Sequence, residues 1–183
     1  MTGWGALLLV LLAAANPATG ARVNRSAPTQ PLAAAIAAGI AAGATLLASF
    51  IAEPMLDWLD VEQETARIAA GLVLGISGGQ AVVLGGPLVR DIPRGWQRGI
   101  YPLGIPLAAN PALLACCVAF AANPDAGEMR TAILGMAGTL ATVAVAVVVP
   151  ARIGAAADAG ARLTGGLAIL VAAAMVVSGV RDV

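Results

Sequence analysis

Two identical dipeptides, Asn16-Pro17 and Asn110-Pro111, interrupt hydrophobic stretches of this sequence and are its strongest candidates for a ligand site. Proline lacks a backbone N–H and clashes with the preceding helical turn, and the residue before it is biased away from helical angles. A helix broken in this way exposes N–H groups at the start of one half and carbonyl groups at the end of the other. These groups suit a carboxylate and an ammonium respectively. Two facing breaks could therefore bind a zwitterion without any ionised side chain.

Each Asn-Pro taken alone is explained by a kink whose backbone groups a neighbouring helix satisfies. The matching pair favours a binding site, since secondary transporters place their sites at breaks repeated in both halves. We therefore predict a substrate-binding site at the two breaks. Its predicted residues are Asn16, Pro17, Ala18, Thr19, Gly20, Ala109, Asn110, Pro111 and Ala112.

Few other side chains offer chemistry. The sequence contains no histidine, and its ten basic residues are all arginine, which removes the commonest metal ligand and the commonest general base. Cys116 and Cys117 are adjacent in an apolar stretch, where they indicate packing rather than a disulfide or a reactive thiol. No nucleophile–base pair is apparent at membrane depth, so an intramembrane enzyme is the least favoured alternative. We expect no catalysis, no metal and no cofactor.

The composition indicates a membrane protein. Of the 183 residues, 60% are hydrophobic and only 11% are charged, whereas soluble domains are about a quarter charged. Six hydrophobic segments each come near the roughly 20 residues needed to cross a bilayer. They are Gly3 to Arg22, Pro31 to Ala52, Arg67 to Gly86, Tyr101 to Ala122, Arg130 to Val149 and Leu163 to Val180.

The first of these segments also resembles the core of a signal peptide. Against that interpretation, no basic residue precedes the apolar run Gly5 to Ala15, and its Asn-Pro recurs in a later segment. We therefore favour a first transmembrane helix.

Three sequence markers recur at nearly constant spacing, which indicates a duplication. The pairs Asn16 and Asn110, Arg67 and Arg162, and Pro54 and Pro150 are offset by 94, 95 and 96 residues. Each copy holds three spans, an odd number, so the second copy must be inverted in the membrane, as in many secondary transporters. We predict one all-α membrane domain over residues 1–183, with repeats at 1–90 and 98–183 and with transmembrane helices 1 and 4 broken at Asn-Pro.

Arginine counts in the loops predict the orientation. One side holds Arg22, Arg25, Arg90, Arg94, Arg98, Arg152 and Arg162, and the other holds Arg67, Arg130 and Arg181. The richer side is predicted to be cytoplasmic, which places both termini outside.

Small residues at fourfold spacing predict where helices pack closely. Gly71, Gly75 and Gly79 form one such row, and Gly39 and Gly43 form another. Bare backbone on one helix face permits close approach of a neighbour, so both rows are predicted to face another helix.

The run from Pro102 to Ala112, PLGIPLAANPA, resembles the Pro-Leu-Ala-Ile-Pro-Leu-x-Ala-Gly-Pro-Gly motif of the MarC family of inner-membrane proteins. Asn16-Pro17 and the run Arg67-Ile68-Ala69-Ala70-Gly71 fall where that family has its Asn/Asp-Pro-x-Gly and Arg-Ile-Ala-Gly-Gly motifs. The resemblance implies a six-span inverted-repeat fold in the cell inner (plasma) membrane. It also implies transport of small neutral amino acids such as glycine and alanine.

The sequence departs from the family at these motifs. Asn110 and Ala112 stand where the family usually has glycine on either side of the second proline, and Thr19 stands where the first motif has glycine. We expect a narrower and more polar pocket as a result.

The leading functional hypothesis is a transporter of small neutral solutes by alternating access, and the alternative is a non-transporting membrane assembly or regulatory protein. The expected partners are the lipid bilayer and a small neutral amino acid or similar solute, without nucleic acid. The sequence is compatible with a homo-oligomer and does not predict an oligomeric state.

Overall fold

The computed structural model describes residues 4–25, 29–85, 93, 95–123, 126–149 and 154–182. Pro150, which is one of the repeat markers, and the loop arginines Arg90, Arg94 and Arg152 lie outside these residues.

Within the described residues the chain is helical and contains no strand. The α-helices are α1 (Trp4–Ala15), α2 (Pro31–Phe50), α3 (Ala52–Leu59), α4 (Gln63–Leu84), α5 (Pro111–Ala121), α6 (Glu128–Val148) and α7 (Gly154–Asp182). Two less regular helices complete the description: the 3₁₀ segment (Pro17–Arg25) and the π segment (Gly99–Ala108).

Five helical stretches of the described chain are long and apolar enough to cross a membrane. A sixth is added if the π segment and α5, which are bent by 52° relative to each other, are counted as one span. The protein is therefore an all-α, multi-pass membrane protein, which confirms the predicted fold class at this level.

Two features of the helices differ from the prediction. The short helix α3 lies between the second and third predicted segments, where no helix was predicted, and Asp60, in the left-handed region (φ 52°), ends it. Helix α7 begins at Gly154 rather than at Leu163. Its 29 residues span about 44 Å at 1.5 Å per residue, more than the roughly 30 Å hydrocarbon core, so one end extends beyond the apolar layer.

The predicted breaks are present at both Asn-Pro dipeptides. α1 ends at Ala15, Asn16 adopts a left-handed backbone (φ 43°), and the 3₁₀ segment begins at the following proline. This conformation is uncommon for residues other than glycine, but asparagine tolerates it better than most. The first break therefore ends an α-helix.

The second break starts an α-helix instead. Tyr101 and Ile105, each before a proline of the π segment, have extended backbones, as the residue before proline prefers. Asn110 is also extended (φ −81°, ψ 150°), and Pro111 occupies the first helical position of α5, where its missing N–H costs nothing.

Among the described elements, α4 and α7 form the most extensive helix contact, and they are antiparallel. Arg67 near the start of α4 forms an ion pair with Asp182 at the end of α7 (Nη1–Oδ2 2.9 Å). Arg162 of α7 donates to the carbonyl oxygen of Val82 near the end of α4 (2.7 Å). Between these contacts the backbones approach closely, since a Cβ added at Gly78 would lie 2.7 Å from the carbonyl oxygen of Gly165.

The predicted glycine rows are wrong in detail. Gly71, Gly75 and Gly78 face α7, whereas a Cβ added at Gly79 would meet no atom within 4 Å. A helix has 3.6 residues per turn, so a contact face runs at spacings of four and then three, and strict fourfold spacing drifts off it. The row formed by Gly39 and Gly43 on α2 also meets no neighbour within 4 Å.

The main core joins α1, α4, α5 and α7 around the two breaks. Leu11 of α1, Leu74 of α4 and Leu113 of α5 are fully buried in it, and Met175 of α7 belongs to the same cluster. A second cluster joins α2, the π segment and α6. The breaks are thus enclosed by helices from both halves of the sequence.

Candidate functional site

A cavity of about 330 Å³ lies between the two breaks. Ala13 to Asn16 and Thr19 of the first break contribute to its wall, as do Pro106, Leu107, Asn110 and Pro111 of the second. The remaining wall comes from α4 and from Ala168 of α7. The two asparagines predicted as a symmetric pair therefore line one common space.

Asn110 joins the broken helices through its side-chain amide. Its Oδ1 accepts a hydrogen bond from the backbone N–H of Leu113 (2.8 Å), which caps the start of α5. Its Nδ2 donates to the carbonyl oxygen of Ala14 (2.8 Å) and, at longer range, to that of Ala15 (3.4 Å). One side chain thus satisfies an exposed donor of α5 and exposed acceptors of α1.

Asn16 is arranged differently. Its Nδ2 donates to the carbonyl oxygen of Ala161 in α7 (3.1 Å). Its Oδ1 has no hydrogen-bond partner within the described part of the chain, although the residue is only 8% exposed. A buried acceptor without a partner is costly, and such groups are rare in folded proteins.

Thr19 stabilises the turn after the first break. Its Oγ1 and its backbone N–H both donate to the carbonyl oxygen of Asn16, at 2.8 and 3.0 Å. This places Thr19 above Asn16 on the same side of the 3₁₀ segment, where residues three apart are eclipsed. Both side chains therefore reach the cavity.

Of the predicted site residues, Asn16, Thr19, Asn110 and Pro111 line the cavity. The other predicted residues do not: they are Pro17, Ala18, Gly20, Ala109 and Ala112. Because the 3₁₀ segment repeats every three residues, Pro17, Ala18 and Gly20 do not share the face of Asn16 and Thr19. Gly20 lies against the backbone of α6 at Thr142. Ala109 and Ala112 are buried among neighbouring helices, at 3% and 0% exposure.

The wall formed by α4 was not assigned to the site from the sequence. It includes Val73, Leu74, Ser77 and Gln80. Ser77 and Gln80 are three residues apart in an apolar helix, so they share one face. This spacing indicates a polar face on the helix, but no sequence pattern near these residues indicates that the face lies opposite the two breaks.

Two other buried hydroxyl groups are satisfied by their own helices, on α2 and α6. Thr45 donates to the carbonyl oxygen of Ala41 (2.7 Å), and Thr142 donates to that of Gly138 (3.1 Å). Such back-bonding leaves these side chains with a structural role. The side-chain amides of Asn16 and Asn110 differ from these hydroxyls because they bond to a different helix.

The described wall of the cavity carries no ionisable side chain, and its polar groups are amides and hydroxyls. Among the described residues, no group of three or more His, Cys, Asp or Glu side chains is placed to hold a metal ion. The described wall therefore offers a ligand amides, hydroxyls and helix ends.

Comparison with known proteins gives no match to a family model, to a curated protein or to a solved structure. The resemblance to the MarC family therefore stays a prediction that rests on the motifs quoted above.

Proposed function

We propose that this protein is an integral membrane transporter of small neutral solutes, working by alternating access around two broken helices. The observation that carries the proposal is the cavity of about 330 Å³ between the breaks, with Asn16 and Asn110 in its wall. Its volume falls at the lower end of the roughly 300–1,000 Å³ range of small-molecule sites. A small solute is the ligand that such a space fits.

The substrate class that we propose is small neutral amino acids, with glycine and alanine first. The resemblance to the MarC family supports it, and so does the described part of the cavity wall, which carries no ionisable side chain. A substrate with a charged side chain would bring a buried charge without a partner, which is strongly unfavourable. A zwitterion can use the donors and acceptors of the helix ends.

The inverted repeat, with copies at 1–90 and 98–183, is part of this proposal. Each membrane span of the first half contacts the corresponding span of the second. The first and fourth spans meet through α1 and α5, the second and fifth through α2 and α6, and the third and sixth through α4 and α7. Arg67 and Arg162, which are equivalent in the two copies, each contact the far end of the opposite helix. A two-fold axis in the membrane plane would produce such pairing. We place the protein in the inner (plasma) membrane with both termini outside.

Flux measurements test the proposal. The purified protein is reconstituted into liposomes loaded with unlabelled glycine or alanine, and uptake of the labelled amino acid by exchange is measured. We expect uptake above that of protein-free liposomes, saturation with substrate, and competition by other small neutral amino acids. Gly39→Ala is the control variant, because a Cβ at this position meets no atom within 4 Å. Uptake equal to that of empty liposomes across a panel of small neutral solutes would contradict transport.

One observation favours the alternative, a non-transporting membrane assembly or regulatory protein. The Asn110 amide already satisfies backbone groups of both broken helices, as a purely structural kink requires. In that case Asn16→Ala and Asn110→Ala would change stability and leave solute flux at the background level.

A further inference from the structure

The groups that a zwitterion would need at the second break are occupied by a side chain. The Leu113 N–H, at the first turn of the 11-residue helix α5, donates to Asn110 Oδ1 at 2.8 Å. The Ala14 carbonyl oxygen, near the end of α1, accepts from Asn110 Nδ2 at 2.8 Å. A carboxylate would bind the first group and an ammonium the second. The carboxamide of Asn110 therefore stands in the place of both ends of an amino acid.

A second observation in the same cavity also indicates a missing ligand. Asn16 lines this cavity at 8% exposure, and its Oδ1 has no partner among the described residues. The bond from Nδ2 to the Ala161 carbonyl oxygen fixes the orientation of the amide, because a flipped amide would set two oxygens against each other. The atom left over is an acceptor, and its natural partner is an N–H or O–H donor.

We propose that Asn110 is an internal substitute for the substrate and that an amino acid displaces it. This inference rests on the proposed function. The substrate carboxylate takes the Leu113 N–H, and the ammonium takes the Ala14 carbonyl oxygen and Asn16 Oδ1. The Asn110 side chain then leaves both of its partners.

The displacement has a mechanical consequence. In the present structure Asn110 is a direct link between the end of α1 and the start of α5. When substrate replaces it, the hydrogen bonds from Asn110 to these partners are lost, and the polar link across the break runs through a ligand that can dissociate. Substrate binding is thereby linked to the freedom of the two broken helices to move relative to each other.

Two substitutions separate the parts of this proposal. Asn110→Gly removes the competing side chain, and glycine is itself acceptable at a helix N-cap. We expect it to bind glycine about tenfold more tightly than the natural protein does, the change that corresponds to one hydrogen bond gained without competition. Asn110→Asp retains an acceptor for Leu113 and removes the donor to Ala14. We expect it to bind glycine at least about tenfold more weakly, because its carboxylate repels that of the substrate, and to gain binding of ethylammonium.

The experiment is calorimetric titration of the purified full-length protein with glycine, ethylammonium and propionate. Gly39→Ala serves as the matched control, and thermal melting checks that each variant is folded. Tighter binding of glycine by Asn110→Gly supports the inference, with weak binding of ethylammonium and propionate. Equal or weaker binding by this folded variant overturns the inference and leaves the proposed function standing if the natural protein transports glycine.

The remaining outcomes also decide. If the natural protein does not bind glycine but Asn110→Gly does, Asn110 fills a glycine site that glycine does not open, and displacement is overturned. If neither binds glycine, the inference fails, and the flux panel alone decides the proposed function. If Asn110→Gly does not fold, Asn110→Asp decides: weakened glycine binding with new ethylammonium binding supports displacement, and unchanged glycine binding overturns it.

Discussion

The Nδ2 atom of Asn110 lies 2.8 Å from the carbonyl oxygen of Ala14, a residue 96 positions earlier in the chain. One side chain therefore connects the end of α1 to the start of α5. The same amide caps α5 through Leu113. Within the hydrocarbon layer these backbone groups have no bulk water as an alternative hydrogen-bond partner. The Asn110 side chain is therefore needed to satisfy them, and it also competes with any ligand that would bind the same groups.

Asn110→Ala is expected to destabilise the protein by about 1–3 kcal/mol, because the cap of α5 and the bond to Ala14 are lost together. Thermal melting in detergent measures this effect. Gly39→Ala, at a helical position without neighbours within 4 Å, should melt at the same temperature as the natural protein or slightly above it. A melting temperature of Asn110→Ala equal to that of the control would show that the bridge contributes nothing to stability.

Gly78 and Gly79 form a matched pair for the α4–α7 interface. A Cβ at Gly78 would lie 2.7 Å from the carbonyl oxygen of Gly165, whereas one at Gly79 meets nothing within 4 Å. We expect Gly78→Ala to cost about 1–3 kcal/mol through overpacking. Gly79→Ala should be neutral or slightly stabilising, because alanine favours helix by up to about 1 kcal/mol. Comparison of the two melting curves tests the interface, and equal curves would contradict the described helix contact.

Thr19→Val removes the bond from Oγ1 to the Asn16 carbonyl oxygen and keeps the side-chain shape. If the first break is part of the transport site, exchange flux should fall several-fold, since loosening this turn repositions Asn16. Thr45→Val is the control, because Thr45 is fully buried on α2 and bonds only to its own helix. Similar exchange flux in Thr19→Val and Thr45→Val would show that the turn at the first break does not contribute to transport.

The sequence predicted the features that depend on local chemistry. Hydrophobic length and low charge identified the membrane helices, and proline together with its preceding residue located both breaks. The opposite characters of the breaks were not predicted, since whether Asn16 ends a helix or Asn110 starts one depends on the flanking contacts.

Features that depend on contacts between helices were missed. The bond from Asn16 to Ala161 joins residues 145 positions apart, and no local pattern reveals it. For the same reason Ser77 and Gln80 were known to be polar but not known to face the breaks. The glycine rows failed because their assignment needed the direction of the neighbouring helix as well as the spacing.

Ser77→Cys tests whether the α4 wall faces the substrate. Cysteine is close to serine in size, so the wall should keep its shape. The natural cysteines, Cys116 and Cys117, are both 0% exposed, so background labelling should be low. We expect a small water-soluble thiosulfonate reagent to label Ser77→Cys, and saturating glycine or alanine to slow this labelling several-fold. Gly79→Cys, on the outward side of the same helix, should show no protection. Equal labelling rates of Ser77→Cys with and without amino acid would place the substrate outside this cavity.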